Sequence, residues 1–173
     1  MSIRKSVLGT AVGLALGAAV MNIAVADVMV GGSAMLPARN IVQNAVNSAD
    51  HTTLVAAVKA AGLVDTLQGE GPFTVFAPVN AAFAALPAGT VDHLLMPASK
   101  DALTKVLTYH VVPGELAPDQ LAGTHKTLEG ADLTVAGTGM DFTANGDSKV
   151  VCGNVQTANA TVYIVDTVLM PAS

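Results

Sequence analysis

The segment from Gly71 to Pro87, GPFTVFAPVNAAFAALP, constrains the fold more than any other part of the chain. Phe73, Thr74, Val75 and Phe76 are aromatic or β-branched, the residue types that fit a pleated, half-buried surface. Gly71-Pro72 and Pro78 bound them, so the run reads as a strand. Asn80 then stands where a helix N-cap is needed, Ala81 to Leu86 are residues a helix accepts, and Pro87 stops it. Three of the four Phe fall within this strand, turn and helix, in a chain with no Trp and two Tyr. The large side chains that nucleate a core are therefore concentrated here.

The N-terminus reads as an export address. Arg4 and Lys5 form a basic region, Val7 to Val20 is an apolar run interrupted only by Gly and Thr, and Ala24-Val25-Ala26 is an A-x-A cleavage site before Asp27. A membrane span needs about 18 or more apolar residues, and this run is shorter and followed by a cleavage signal. Residues 1–26 are therefore expected to be a signal peptide, 27–38 a flexible leader with Gly31-Gly32-Ser33, and 39–173 one folded domain large enough to bury a core without disulfides.

Without Arg4 and Lys5 the chain carries six Lys and Arg against thirteen Asp and Glu, a formal charge of −7. No basic stripe or aromatic stacking platform is present, so nucleic acid is excluded as a partner, and the acidity suits a soluble monomer. Cys152 is the only cysteine, so no intrachain disulfide forms. Flanked by Val150, Val151 and Gly153, it reads as a small buried hydrophobe, with oxidation or intermolecular pairing left open.

Apolar spacing predicts helices around Ile41 to Val46, from an Asp50 cap to a Gly62 stop, over Leu63 to Leu67, over Thr90 to Met96, and from a Ser99 cap over Lys100 to Thr108. Tyr109-His110-Val111-Val112-Pro113-Gly114 marks a change from helix to strand. Beyond Leu128 the signals are β-like: Leu133 to Val135, Lys149 to Val151 and Thr161 to Leu169, separated by Gly, Asn and Asp. Helices in the first half and strands in the second define an α+β chain.

Candidate chemistry is sparse. Asp141 to Asp147 imitates the start of a calcium-binding loop, but the twelfth position, which needs a bidentate Glu, is Cys152, and Asn145-Gly146 suits a hairpin tip. His51, His93, His110 and His125 lack the spacing of a helical zinc pair. No nucleophile elbow or phosphate-cradling glycine pattern is present, which argues against an enzyme, and no metal or cofactor is expected. His110 is either a partly buried histidine at a helix end or, with Tyr109, part of a partner-contact surface.

Three segments together resemble one family. Gly71 to Phe83, Leu107 to Gly114 and Ala160 to Pro171 are similar, in order and spacing, to the first, central Tyr-His and terminal signatures of fasciclin (FAS1) domains. The tail Val150 to Tyr163 resembles secreted bacterial members, including the mycobacterial fasciclin-like antigens. The resemblance implies a β-wedge of two sheets with helices packed around one side, in which Thr74, Asn80, His110 and Asp166 are architectural polar residues. It also implies an exported, non-enzymatic protein, periplasmic, cell-surface or secreted. Such a protein mediates adhesion through an envelope, matrix or cell-surface protein or glycan, or alternatively carries an apolar ligand such as a carotenoid or lipid.

Departures from the family pattern qualify this. Val79 stands where many members have Thr, and Tyr163 where His is common. Cys152 to Gln156 falls where animal members carry an integrin-linked segment, with Asn154 in place of its Asp, so integrin recognition does not transfer. The mycobacterial antigens bridge the Cys152 position to a second cysteine that this chain lacks.

Overall fold

The chain, in a computed structural model that describes residues 28–171, enters the fold through a hairpin of β1 (Val28–Val30) and β2 (Ser33–Met35). The signal-peptide segment lies outside the described residues. The hairpin occupies the stretch expected to be a flexible leader, and its cause is burial: Val30 and Met35 insert into the core while Gly31 and Gly32 turn at positive φ. A side chain on Gly31 would strike Ser48 and the backbone of Ala49 and Asp50, so only glycine lets the turn sit this close.

Helix α1 (Ile41–Ala45) opens with a reciprocal capping box between Asn40 and Gln43. Helix α2 (Thr52–Ala61) ends at Gly62 in the left-handed conformation, and α3 (Val64–Gln68) follows. Strand β3 (Phe73–Pro78) then leads into α4 (Asn80–Ala84), α5 (Thr90–Leu95) and α6 (Lys100–Tyr109). The rest is β4 (Val111–Pro113), β5 (Gly123–Lys126), β6 (Asp132–Thr138), β7 (Asp141–Ala144), β8 (Ser148–Gln156) and β9 (Ala160–Val165).

Two caps differ from the sequence expectation. The N-cap position of α4 is Val79, with Asn80 already helical, because Val79 keeps the extended backbone of β3. The N-cap of α2 is His51, since Asp50 is taken into a 3-10 turn, and no side chain of α2 caps its own start.

The larger sheet runs in the order β4-β3-β9-β8-β7-β6-β5. At its centre β3 and β9 pair in parallel from Phe73↔Ala160 to Pro78↔Val165. Each face of this pair meets a different core, which is why both strands are almost continuously apolar. Val75, Ala77, Val162 and Ile164 face α1, α2, α3 and α6, whereas Phe76, Tyr163 and Val165 face Leu133, Val135 and Phe142 of the outer strands. Strand β8 joins the two leaves: Ser148 and Lys149 pair with β7, and the rest pairs with β9 through irregular register at Cys152. The arrangement is an α+β wedge of two β leaves with helices on one side.

Candidate functional site

The three signature segments converge around β3 and β9. Thr74, fully buried, donates its hydroxyl to the Gly114 carbonyl at 2.8 Å and accepts the Leu116 N–H at 2.9 Å, tying β3 to the turn after β4. Asn80 accepts the Thr53 N–H at 3.1 Å and donates to the Ala49 carbonyl at 2.8 Å, so it caps α2 from α4. Asp166, exposed at the end of β9, accepts the Lys149 N–H at 2.9 Å and the Thr167 hydroxyl at 3.1 Å.

Tyr109 and His110 are 4 % and 2 % exposed, so the side chains offered as partner contacts are internal instead. The end of α6 turns them inward, where the tyrosine completes the wedge core and the histidine bridges two backbone groups. His110 Nδ1 donates to the Val106 carbonyl at 2.7 Å, and Nε2 accepts the Leu169 N–H at 2.9 Å. Burial pulls its pKa down to about 4, against a smaller upward pull from the Val106 carbonyl. Tyr109 donates to the Asp132 carbonyl at 3.1 Å and accepts from the Asn145 carboxamide at 2.8 Å.

Tyr163 stacks on Phe76 with ring centroids 5.8 Å apart and donates to the Leu116 carbonyl at 2.8 Å. Burial, with Glu115 and Asp119 adding their charge, pushes its phenol up to about 12. The Asp141 to Asp147 segment is a β-hairpin with Asn145 and Gly146 at its tip, both at positive φ. Among the described residues no three His, Cys, Asp or Glu side chains gather into a group able to hold a metal. Cys152 is half-buried against the helix-side core, and Asn154, at φ 56, lies in the irregular part of β8.

One architectural residue escapes sequence reasoning. Asn159, in the β8–β9 turn, donates to the Leu67 and Gly69 carbonyls at 2.7 and 2.9 Å and accepts the Ile41 N–H at 3.1 Å. Its partners lie as far as 118 positions away, beyond any local signal.

Three openings stand out among the described residues. An apolar hollow of about 50 Å³ lies between α1, α2, α3 and α6, lined by Val42, Leu54, Val58, Leu67, Leu107 and Leu128 among others. A second, of about 30 Å³, lies beside it beneath α1, and the two share Ile41, Ala45 and Leu54. A wider polar hollow of about 450 Å³ is open between Gln68 to Pro72, Asn40, Glu115 and Thr157 to Ala160.

A family model described as "Fasciclin domain" matches residues 49–171. The chain belongs to the fasciclin-domain family. It is 57 % identical over 109 residues to the cell surface glycolipoprotein MPB83 of Mycobacterium bovis, covering 63 % of this chain and 48 % of that one. It is 51 % identical over 132 residues to the immunogenic protein MPB70 of Mycobacterium bovis, covering 73 % and 66 %. Protein sll1483 of Synechocystis is 47 % identical over 135 residues, covering 78 % and 74 %. The chain thus spans about half the length of the MPB83 glycolipoprotein it matches.

In fold, the chain superposes on the FAS1 domain pair of the insect cell adhesion molecule Fasciclin I. The TM-score is 0.68 at 15 % identity, over 78 % of this chain and 52 % of that one. The fasciclin fold accounts for the placement of the motifs: each signature supplies polar atoms that join elements distant in sequence.

Proposed function

We propose that this fasciclin-domain chain is an exported, non-enzymatic adhesion or interaction module, acting through contacts of its outer loops with an envelope, matrix or cell-surface protein or glycan. One observation carries this. Thr74, Asn80, Tyr109, His110 and Asp166 commit their polar atoms to the backbone or side chains of the fold itself, so its motifs build a scaffold and leave the loops for contact. The name of MPB83 as a cell surface glycolipoprotein supports export, as does the A-x-A site at residues 24–26. Among the described residues no helix is long and apolar enough to cross a membrane.

The test is attachment. Protein purified from its native host is expected to bind intact cells or isolated envelope, and deletion of the gene to weaken attachment. Absence of both effects sinks the proposal.

A second function, carriage of an apolar ligand, is favoured by the paired hollows beneath α1. They are smaller than the roughly 150 Å³ cavity that accepts benzene, so a carotenoid or lipid chain enters only if α1 parts from the sheet. Extractable lipid or visible absorbance in the native protein is the expected sign of carriage, and a colourless, lipid-free preparation counts against it.

A further inference from the structure

The wide polar hollow lies at the end of the central sheet where β3 and β9 begin and β4 ends. Its floor is braced by bonds within the fold. Asn40 and Gln43 close their capping box, Asn159 reaches Leu67, Gly69 and Ile41, and Thr157 exchanges hydrogen bonds with Ala160. Gly71 meets this floor with no room for a side chain, because a Cβ there would run into the Asn159 carbonyl oxygen. Among the described residues, the hydrogen-bonding side chains of the hollow left without an internal bond are Gln68 and Glu70, and Glu115 uses one oxygen only.

Glu115 is held in place by two threonines. Thr74 and Thr161 stand side by side in the parallel register of β3 and β9, both fully buried. Thr74 bonds the Gly114 carbonyl and the Leu116 N–H, which fixes the backbone on either side of Glu115, and the Thr161 hydroxyl donates to the Glu115 carboxylate at 3.0 Å. A surface glutamate ordinarily loses side-chain entropy when it meets a partner, whereas this carboxylate is oriented beforehand.

No Lys, Arg or His lines the hollow, and Arg39, next to Asn40, stands outside the lining, so neither carboxylate meets a cation within it. Two carboxylates fall short of the roughly six to eight oxygens that calcium takes, and among the described residues no three His, Cys, Asp or Glu gather to hold a metal. No aromatic side chain lines it, so a sugar ring finds no stacking platform. What the walls offer is acceptors and negative charge. A guanidinium matches them better than an ammonium, being planar, the more weakly hydrated cation and the bearer of five donors in a fixed fork.

We propose that this hollow receives an arginine side chain from an extended segment of a partner protein, its guanidinium meeting the Glu115 carboxylate, with Glu70 contributing the second negative charge. This gives the chemistry of the partner in the adhesion proposal and rests on it. The acidity of the whole chain acts in the same sense, steering a basic segment towards it.

The test titrates a blocked Gly-Arg-Gly peptide and its citrulline counterpart, a neutral isostere, into the isotopically labelled full chain at low salt, following backbone amides by NMR. The arginine peptide is expected to shift Gly69, Gly71, Glu115 and Asn159 saturably. It is expected to bind roughly twofold to fivefold more tightly than the citrulline peptide, the range of an exposed ion pair, with the difference shrinking as salt is raised. Glu115→Gln keeps an acceptor for Thr161 and removes the charge, so it is expected to abolish most of that preference. Equal binding of the two peptides, or a preference that survives in the Glu115→Gln, Glu70→Gln double variant, overturns the assignment. Calcium chloride moving the same amides at lower concentration also overturns it, in favour of a metal. Attachment to native cells separates the two proposals. The double variant is expected to attach less than the wild type. Undiminished attachment leaves adhesion standing and overturns the arginine site, and attachment by neither form overturns both.

Discussion

The Asn80 carboxamide oxygen accepts the Thr53 backbone N–H at 3.1 Å, so a side chain from the first turn of α4 caps the start of α2. No residue of α2 provides that bond itself, and the same carboxamide donates to Ala49 at 2.8 Å. Asn80→Ala is therefore expected to lower stability by about 1–2 kcal/mol, read as a fall in the urea midpoint without a change in slope. Asn80→Asp keeps the acceptor and loses only the donor, so it is expected to lose less. Equal losses in the two variants contradict the capping role.

His110 links stability to pH. The unfolded chain takes up a proton at the ordinary histidine value of 6.5, whereas the folded chain resists until about pH 4, because burial excludes the charge and Nε2 already accepts from Leu169. This stabilisation is complete above pH 6.5 and is lost progressively as pH falls to about 4. The gap corresponds to about 3 kcal/mol. Unfolding free energy measured across that window is expected to fall by this order, with the His110 ring still neutral by NMR at pH 5. A ring that is charged in the folded protein at pH 6 refutes the linkage.

Tyr109 and Asn145 join α6 to the β7–β8 hairpin through a 2.8 Å hydrogen bond between the phenol and the carboxamide. Tyr109→Phe leaves both the carboxamide and the Asp132 carbonyl without that partner, at an expected cost of about 1–2 kcal/mol. Asn145 sits at φ 52, so the companion variant is Asn145→Gly, which keeps the backbone conformation open. A double-mutant cycle is expected to give a coupling of about 1 kcal/mol, and a coupling near zero shows the bond adds nothing to stability.

Much of the fold was legible where local chemistry and tertiary burial agree. The Phe73 to Phe76 run, flanked by Pro and Gly, became β3, the apolar face of Lys100 to Thr108 became α6, and Asn145-Gly146 became a hairpin tip. Strands β1, β2 and β5 were missed for physical reasons. Strand β5 consists of exposed and half-exposed Gly, Thr, His and Lys with no apolar alternation, and its pairing with β6 is made by backbone. The β1–β2 hairpin hides behind Gly31-Gly32-Ser33, a composition that suits linkers equally well. The candidate site was the least legible part. A helix end does not say which way Tyr109 and His110 turn, and neither the burial of His51 nor the reach of Asn159 has a local signature.

Gly153 is pressed against the Tyr163 ring. A Cβ at this position falls 2.9 Å from the ring Cδ1 and 3.1 Å from Cε1. The ring cannot move aside easily, being 1 % exposed, stacked on Phe76 and hydrogen-bonded to Leu116. Gly153→Ala is expected to cost about 1–3 kcal/mol through overpacking. The same substitution in a Tyr163→Leu background is expected to cost less, because the obstructing ring is gone. An equal cost in both backgrounds places the strain elsewhere in the irregular part of β8.

Val79 occupies the N-cap of α4 with φ −75 and ψ 165, the extended geometry a capping residue adopts, but its side chain has nothing to donate to or accept from the helix. The exposed donors of the first turn are therefore met only by backbone, as where Ala82 N–H reaches the Val79 carbonyl at 2.9 Å. Val79→Thr supplies a hydroxyl acceptor, a gain of about 1 kcal/mol at an N-cap. Against it stands the loss of one half-buried methyl, about 0.5 kcal/mol, since Val79 packs against the neighbouring core residues. The net expectation is a stabilisation of about 0.5 kcal/mol, seen as a small rise in the urea midpoint. A fall of that size or more means that Val79 serves this chain through its packing.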